Sequence, residues 1–181
     1  MSESTAAIPA TLAVTGRERA TRAIELRPVE AVYRSLAPAV LGYLRSQGAS
    51  DPEDLTGEVF VDVTRGLHRF VGDDLALRRW VFTIAHRRLI DDRRRRKVRR
   101  DHAGDEPAEG VEPDVVEASV ALDPELLRAL DGLTPLQREV VVLRFVADLP
   151  ITDVARIVRR PRTAVKALQA RGLAHLEATL R

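Results

Sequence analysis

The 181-residue chain carries 29 Lys and Arg against 27 Asp and Glu, and 45% of its residues are hydrophobic but only 4% are aromatic. That length holds one ordinary domain or two small ones, whose cores must be built from Leu, Val, Ile and Ala. The absence of cysteine excludes disulfides and thiolate metal sites. Apolar residues that recur at three- and four-residue intervals, with no alternating runs, predict an all-α fold.

The N-terminal residues 1–28 are rich in Ala, Thr, Arg and Glu and show weak periodicity, which predicts an extension that precedes the first domain. Its longest nearly apolar stretch, residues 8–14, is too short to span a membrane. No basic residue comes before that stretch, so it is also a poor signal peptide. We therefore expect a cytoplasmic protein without membrane insertion.

Three helices are predicted in a first domain of residues 29–100. The first covers residues 30–46 and ends before Gly48. The second begins after Asp51, which can cap a helix, with Pro52 in the first helical position. The third turns Leu77, Val81, Ile84 and Leu89 inward and continues to residue 100. The inward face of the first helix is predicted to hold Val32, Tyr33, Leu36, Val40, Leu41 and Leu44.

Charge divides the rest of the chain into blocks. Residues 75–100 contain eleven basic and two acidic residues, residues 101–125 contain nine acids and no Lys or Arg, and residues 126–181 contain ten basic and five acidic residues. Basic blocks favour polyanionic partners. Residues 101–123, which combine a single sign of charge with four Gly and Pro residues, predict a flexible acidic linker between two domains.

The second domain, residues 124–181, contains the order of elements of a helix-turn-helix. Two helices begin at Pro124 and Pro135, each after a capping residue, and residues 151–158 form a short helix before a three-residue turn. Cations and short polar side chains lie outward on the last helix, which suits a helix that enters the major groove. A plain antiparallel helix pair with a solvated basic face is the alternative.

The basic block of the first domain has aromatic residues among its cations. Trp80 and Phe82 lie between arginines and His86. Such interleaving is typical of surfaces that stack an unpaired base while they hold its backbone. The alternative for Trp80 is a place in the core, and the two roles are compatible.

Three segments, in this order, resemble the signatures of extracytoplasmic-function (ECF) sigma factors of the sigma-70 family. They are residues 53–60 (EDLTGEVF), 79–91 (RWVFTIAHRRLID) and 133–144 (LTPLQREVVVLR). The resemblance covers residues 30–100 and 124–180. It implies two small helical domains, a sigma-2-like bundle and a sigma-4-like helix-turn-helix, joined by the acidic linker, which by analogy would follow the path of nascent RNA.

The resemblance also implies partners and sites. The partners are the RNA polymerase core, promoter DNA and, as for many family members, an anti-sigma factor. The core-polymerase site would be formed by Asp54, Leu55, Glu58 and Val59. The −10 element would be bound and opened by Phe70, Asp73, Arg78, Arg79, Trp80, His86 and Arg87. The −35 element would be read by Arg162, Thr163, Lys166, Ala167, Ala170 and Arg171.

Three residues depart from the family pattern. Gly57 stands where Gln is common, which weakens the expected polymerase contact and the helix propensity. Arg87 replaces a frequent Asn, so the −10 preference is expected to be unusual. Arg159 replaces the usual turn glycine, and it would be strained if the turn needs a positive φ.

No enzyme, metal or cofactor site is predicted. The adjacent Asp91 and Asp92 point about 100° apart on a helix and cannot share a site. The four histidines lack metal-ligand spacing, and no phosphate-binding glycine loop is present. Two other functions stay open. One is a dimeric helix-turn-helix regulator that binds a palindrome without polymerase, and the other is a helical inhibitor of polymerase that uses only the first domain.

Overall fold

The computed structural model describes residues 28–103 and 124–180. The expected N-terminal extension and nearly all of the acidic linker lie outside the described residues. Within the described ranges every regular element is a helix, which confirms the all-α prediction. The helices are α1 (Val29–Ser46), α2 (Pro52–Leu67), α3 (Asp74–Ala103), α4 (Pro124–Asp131), α5 (Pro135–Phe145), α6 (Ile151–Ile157) and α7 (Arg162–Thr179).

Helices α1 to α3 pack together as a first module, and local signals set their ends. The Asp51 carboxylate accepts a hydrogen bond from the backbone N–H of Asp54 at 2.8 Å, and Pro52 opens α2, as the sequence predicted. Gly48, with φ of +66°, allows the chain to reverse after α1. The module is thus built from helices whose boundaries are encoded locally.

Helix α3 is the longest described element, with 30 residues. Its buried stripe follows the helical period, so one face of the helix enters the core of the first module while the opposite face stays charged. The stripe consists of Leu77, Val81, Phe82, Ala85 and Leu89. Residues 101–103 continue the helix, so its end lies three residues beyond the predicted one.

Two aromatic predictions were wrong. Phe82 is fully buried, with its ring edge-on to Tyr43 at 5.9 Å between centroids, so it cannot stack on a base. Tyr33, predicted to point inward, is 50% exposed, and Tyr43 is fully buried instead. Tyr33 packs edge-on against Phe60, at 4.8 Å between ring centroids, while half of its surface stays in solvent.

The loop between α1 and α2 is tied to α3 by a buried carboxylate. Asp92 is 3% exposed and accepts hydrogen bonds from the Ser50 hydroxyl at 2.5 Å and the Ser50 backbone N–H at 3.2 Å. Arg96 adds an ion pair at 3.1 Å. Burial acts to raise the pKa of Asp92, but the hydrogen bonds from Ser50 outweigh it, and the pKa lies below its ordinary value. The charged carboxylate therefore holds the residue that precedes the α2 cap.

Helices α4 to α7 form the second module, and a capping box begins α5. The Thr134 hydroxyl accepts from the Gln137 N–H at 3.4 Å, and the Gln137 side chain accepts from the Thr134 N–H at 3.1 Å. Helices α6 and α7 form the predicted helix-turn-helix around the buried Val154, Ala155 and Val165.

Arg159 occupies the sharp turn of the helix-turn-helix. Its φ is +52°, so the turn does need the left-handed region that its sequence position predicted. The next residue, Arg160, donates its backbone N–H to the Ala155 carbonyl at 3.0 Å, which closes the end of α6. The turn geometry is therefore kept although glycine is absent.

We predict that Gly57→Ala raises the free energy of unfolding by about 1 kcal/mol. Gly57 lies inside α2, and an added Cβ would meet nothing within 4 Å. Gly66→Ala is the matched control on the same helix, because there the Cβ would lie 2.7 Å from the Trp80 ring. Urea unfolding should rank Gly57→Ala above wild type and Gly66→Ala below it, and the reverse order would contradict this packing.

We also predict that Asp92→Ala lowers the free energy of unfolding by roughly 2 kcal/mol, because the Ser50 groups lose a charged acceptor. Asp91→Ala serves as the control. The Asp91 side chain is 49% exposed and lies 3.8 Å from Arg94, so its loss should change the stability by less than about 0.5 kcal/mol. Equal thermal shifts for the two variants would count against the role assigned to Asp92.

Candidate nucleic-acid interface

Helix α7 presents a continuous outward face. All six residues predicted for the −35 element are exposed, and their spacing of one and four places them along one side of the helix. They are Arg162, Thr163, Lys166, Ala167, Ala170 and Arg171. The face combines long cations with alanines that allow close approach, which suits contact with base edges and thymine methyl groups.

Contacts on the inner side of α7 determine how the helix and its exposed face are oriented. Gly172 lies so close to α5 that an added Cβ would be 2.8 Å from a Val141 methyl group. Arg144 donates to the Gln169 side-chain oxygen at 3.3 Å and to the Leu149 carbonyl. Helix α7 is therefore held against α5 at Gln169 and Gly172, which positions its outward face.

The loop before α3 packs against the helix that follows it. The rings of Phe70 and Trp80 stack at 5.2 Å between centroids with an interplanar angle of 24°. Asp73 caps α3, because its carboxylate accepts from the Ala76 N–H at 2.7 Å. Trp80 is half-buried and packs against the core, so its structural role is realised. Base stacking by Phe70 and Trp80 stays a prediction.

Three of the residues predicted for the −10 element touch the second module. Arg79 pairs with Asp153 at 3.3 Å, and Arg78 donates to the Ala147 carbonyl at 3.3 Å. His86 Nδ1 lies 2.7 Å from Glu139 Oε1. Arg87, one position further along α3, is exposed. The basic face of α3 is thus shared between solvent and the second module.

A buried cluster joins the modules at His86. The Tyr43 hydroxyl donates to Glu139 Oε1 at 2.7 Å and lies 3.3 Å from His86 Nδ1. Burial acts to raise the pKa of Glu139, but the hydrogen bond and charge of His86, with the Tyr43 hydrogen bond, bring it below its ordinary value. Burial, followed by the charge of Glu139, raises the pKa of Tyr43 well above its usual range. Glu139 is therefore a carboxylate and Tyr43 a neutral donor.

Sequence reasoning missed Tyr43 and Glu139 as partners of His86. They lie 96 residues apart in the chain, on helices of different modules. The sole signal in the sequence was Glu139, a charged residue directly before the apolar residues 140–143 of α5. Periodicity alone cannot identify the partner of such a residue.

The four residues predicted for the core polymerase differ in exposure. Asp54 is exposed, while the Glu58 side chain is 31% exposed and pairs with Arg88 at 3.0 Å and Arg95 at 3.8 Å. Leu55 and Val59 are 4% and 0% exposed, because they form the inner stripe of α2. In this arrangement Asp54 and Glu58 offer surface atoms, and Leu55 and Val59 support the helix from within.

Arg88 anchors this acidic side of α2. It donates two hydrogen bonds to Asp62, at 2.8 and 2.5 Å. The hydrogen bond to Asp62 raises the Arg88 pKa. An open groove of about 700 Å³ runs between this part of α2 and the distal half of α3, bordered by Asp54, Glu58, Arg95 and Val98. Carboxylates on one wall and cations on the other give the groove a mixed charge.

Among residues 28–103 and 124–180, no group of three His, Asp or Glu side chains is placed to hold a metal ion. Within those same residues, no helix has the length and apolar character that a membrane crossing requires.

Family models match both modules. The model described as sigma-70 region 2 matches residues 32–99, and the model described as sigma-70, region 4 matches residues 124–176. The first range covers most of α1, all of α2 and most of α3, and the second covers α4 to most of α7.

Three curated relatives are each named as ECF RNA polymerase sigma factors. The chain is 28% identical to the ECF RNA polymerase sigma factor BldN of Streptomyces coelicolor, over 80% of this chain and 54% of that protein. It is 31% identical to SigX of Bacillus subtilis, over 67% of this chain and 66% of SigX. It is 34% identical to SigK of Mycolicibacterium vanbaalenii, over 70% of each chain. The match thus spans just over half of BldN and about two thirds of SigX.

Solved structures share the fold. The sigma factor RpoE of Bartonella quintana, solved with the anti-sigma factor NepR, matches with a TM-score of 0.66 and 21% identity, over 86% of this chain and 98% of that one. CnrH, solved with the cytosolic domain of CnrY, matches with a TM-score of 0.59 and 24% identity, over 91% and 96%. Two region models in order and a relative that is 34% identical over 70% of its length lead to one conclusion: the chain belongs to the ECF sigma factors of RNA polymerase.

Proposed function

We propose that this chain directs core RNA polymerase to a set of promoters by binding the −35 and −10 elements and by opening the −10 element. The observation that carries the proposal is the exposed basic face of α7 on a helix-turn-helix, in one chain with a second cation-bearing helix, α3. The chain would supply recognition and strand opening, while the chemistry of RNA synthesis belongs to the polymerase. Its place of action would be the cytoplasm, where promoter DNA is transcribed in bacteria.

The −35 contact would be made by α7 in the major groove. Lys166 and Arg171 are long cations one to two turns apart on the exposed face, so they can reach base edges or the flanking phosphates. Arg162 and Thr163 lie in the first turn, where the helix N-terminus favours phosphate oxygens. Ala167 and Ala170 leave room for the groove floor and offer methyl groups to thymine.

The −10 contact would be made by the start of α3 and the loop before it. Arg87 is exposed and free to meet the DNA backbone, and Arg78, Arg79 and His86 would join it after they leave the second module. The half-buried Phe70 and Trp80 stack offers an aromatic surface for an unpaired base. Stacking of that kind contributes about 1–3 kcal/mol per base, which helps to hold a short melted segment open.

The polymerase contact would use the acidic side of α2, with Asp54 and Glu58 at its surface. We further propose that residues 101–123 act as a linker between residues 29–100 and residues 124–181, and that an anti-sigma factor is a third partner. The dimeric-regulator alternative loses its support, because the family assignment rests on both modules and not on the helix-turn-helix alone.

The experiment that tests this function is run-off transcription with purified core polymerase and the full chain on a pool of genomic fragments. We expect discrete transcripts that need both proteins, because the chain positions the polymerase and does not polymerise RNA. Core polymerase alone and a chain truncated after residue 123 are the controls. A transcript pattern that is unchanged when the chain is omitted would refute the proposal, and activity of the truncated chain as an inhibitor would favour the inhibitor alternative.

We predict that Lys166→Ala and Arg171→Ala each weaken promoter binding by roughly 1–3 kcal/mol, or about 5- to 160-fold, because each removes an exposed cation from the α7 face. The measurement is run-off transcription at subsaturating holoenzyme on a promoter found in the pool. Arg65→Ala is the control, since its side chain is 75% exposed on α2, away from α7. Binding to core polymerase should stay unchanged, and full transcription by both α7 variants would exclude this face as the −35 reader.

A further inference from the structure

We infer that Arg159, at the sharp turn of the helix-turn-helix, binds a phosphate group of the DNA backbone beside the −35 element, although its backbone conformation lowers the stability of the fold. The inference deepens the proposed function and rests on it for the DNA element that α7 meets. It has two consequences of opposite sign. Replacement of Arg159 by glycine should stabilise the fold and weaken DNA binding, a combination that a purely structural residue would not give.

The first observation is the backbone conformation of Arg159. Helix α6 ends at Ile157, and Arg159 has a φ of +52°. The backbone N–H of Arg160 donates to the Ala155 carbonyl at 3.0 Å, which is a hydrogen bond of the Schellman motif. Glycine is the usual residue at the left-handed position of that motif, because a Cβ there comes too close to the carbonyl oxygen that follows it. Arginine therefore makes this turn less stable than glycine would.

A second left-handed residue of the same module shows why Arg159 is unusual. Among residues 28–103 and 124–180, Asp148 and Arg159 are the non-glycine residues with a positive φ, and the φ of Asp148 is +50°. Aspartate enters the left-handed region more readily than most residues, because its short polar side chain can hydrogen-bond locally. Arginine does not share this property. Arg159 is therefore the more strained of the two residues.

The second observation is that the side chain of Arg159 makes no contact that would offset this strain. Arg159, Arg160 and Arg162 are all exposed. Within the described part of the chain, none of their guanidinium groups has a hydrogen bond or an ion pair. Arg156, one turn earlier, differs because it pairs with Asp153 at 3.1 Å. The sequence has no Asp or Glu from residue 154 to residue 176, so the three arginines of the turn form a cationic patch without a nearby carboxylate of that segment.

The third observation is the stiffness of the segment that carries this patch. Pro161 has a φ of −58°, which its ring fixes. Arg160 precedes that proline and is therefore restricted to extended conformations. The guanidinium group itself is planar and presents several donors, which match two oxygens of one phosphate. A cationic patch on a stiff segment loses little conformational entropy when it binds an anion.

The position of Arg159 in the fold favours a phosphate over a base. Arg159 lies three residues before Arg162, so their Cα atoms are at most about 11 Å apart. Arg162 begins α7, whose exposed face would lie in the major groove under the proposed function. That groove is about 12 Å wide, and the phosphates of the two strands border it. A cation on the turn outside the helix therefore meets the DNA backbone at the edge of the groove.

The test compares Arg159→Gly with three controls, all in the full chain. Arg159→Lys keeps the cation and the positive φ. Asp148→Gly relieves a positive φ in the same module without removal of a cation. Arg65→Ala removes one cation from α2, where its side chain is 75% exposed. Each variant is unfolded in urea, and its binding to two labelled duplexes, one rich in A·T and one rich in G·C pairs, is followed by anisotropy over a range of salt concentrations.

We expect Arg159→Gly to raise the urea midpoint by roughly 0.3–1 M, because the strain at φ of +52° is relieved. It should bind both duplexes about eightfold more weakly at about 0.1 M salt, and the slope of log affinity against log salt should become shallower by about 0.9, since one phosphate contact is lost. Arg159→Lys should stay within about threefold of wild type on both duplexes. Asp148→Gly should raise the midpoint without weaker binding, and Arg65→Ala should bind within about twofold of wild type.

A urea midpoint of Arg159→Gly that is equal to or below that of wild type would overturn the inference, because the arginine would then not strain the turn. Unchanged binding to both duplexes, or no binding by wild type at the lowest salt, would also overturn it and would leave the patch to an acidic protein partner. Weaker binding to one duplex alone would indicate base reading instead, and an equal loss in Arg65→Ala would indicate an effect of net charge. Since these measurements involve neither polymerase nor a promoter, failure of the proposed function would appear in run-off transcription and not here.

Discussion

The arrangement of the two modules depends on one constraint on α3. This helix must bury one apolar stripe and keep the rest of its surface charged. Leu77, Val81 and Leu89 hold the helix in the first module. Between them stand Arg78, Arg79 and His86, which cannot enter a core and must find water, a carboxylate or DNA. Core residues and cations alternate along this helix. The position of the residues predicted to bind the −10 element is therefore fixed by hydrophobic packing rather than by a loop.

The second module supplies oxygen atoms that pair with the polar side chains of α3. Glu139 accepts from Tyr43 and faces His86, and Asp153 faces Arg79. A carboxylate as buried as Glu139 is stabilised only while its partners stay in place, which couples the two modules to each other. In the docked chain, Arg79 of α3 is thus paired with a carboxylate of the second module.

Local features of this chain could be predicted from sequence, and long-range polar partners could not. Asp51 and Pro52 fix the start of α2, and the exposed face of α7 follows from helical spacing around Val165 and Leu176. The Tyr43, Glu139 and His86 cluster joins residues far apart in sequence, so no local pattern reveals it. Burial of Phe82 was missed because an aromatic residue among arginines can face either a base or the core. The local amino-acid composition is the same in both cases.

The proposed function requires that these two helical modules together bind the core of RNA polymerase. The most direct measurement is titration of the full chain, labelled at one introduced cysteine, with purified core enzyme while fluorescence anisotropy is followed. The account predicts saturable one-to-one binding with a dissociation constant below about 1 μM. Anisotropy that stays at the value of the free chain through micromolar core enzyme would contradict it.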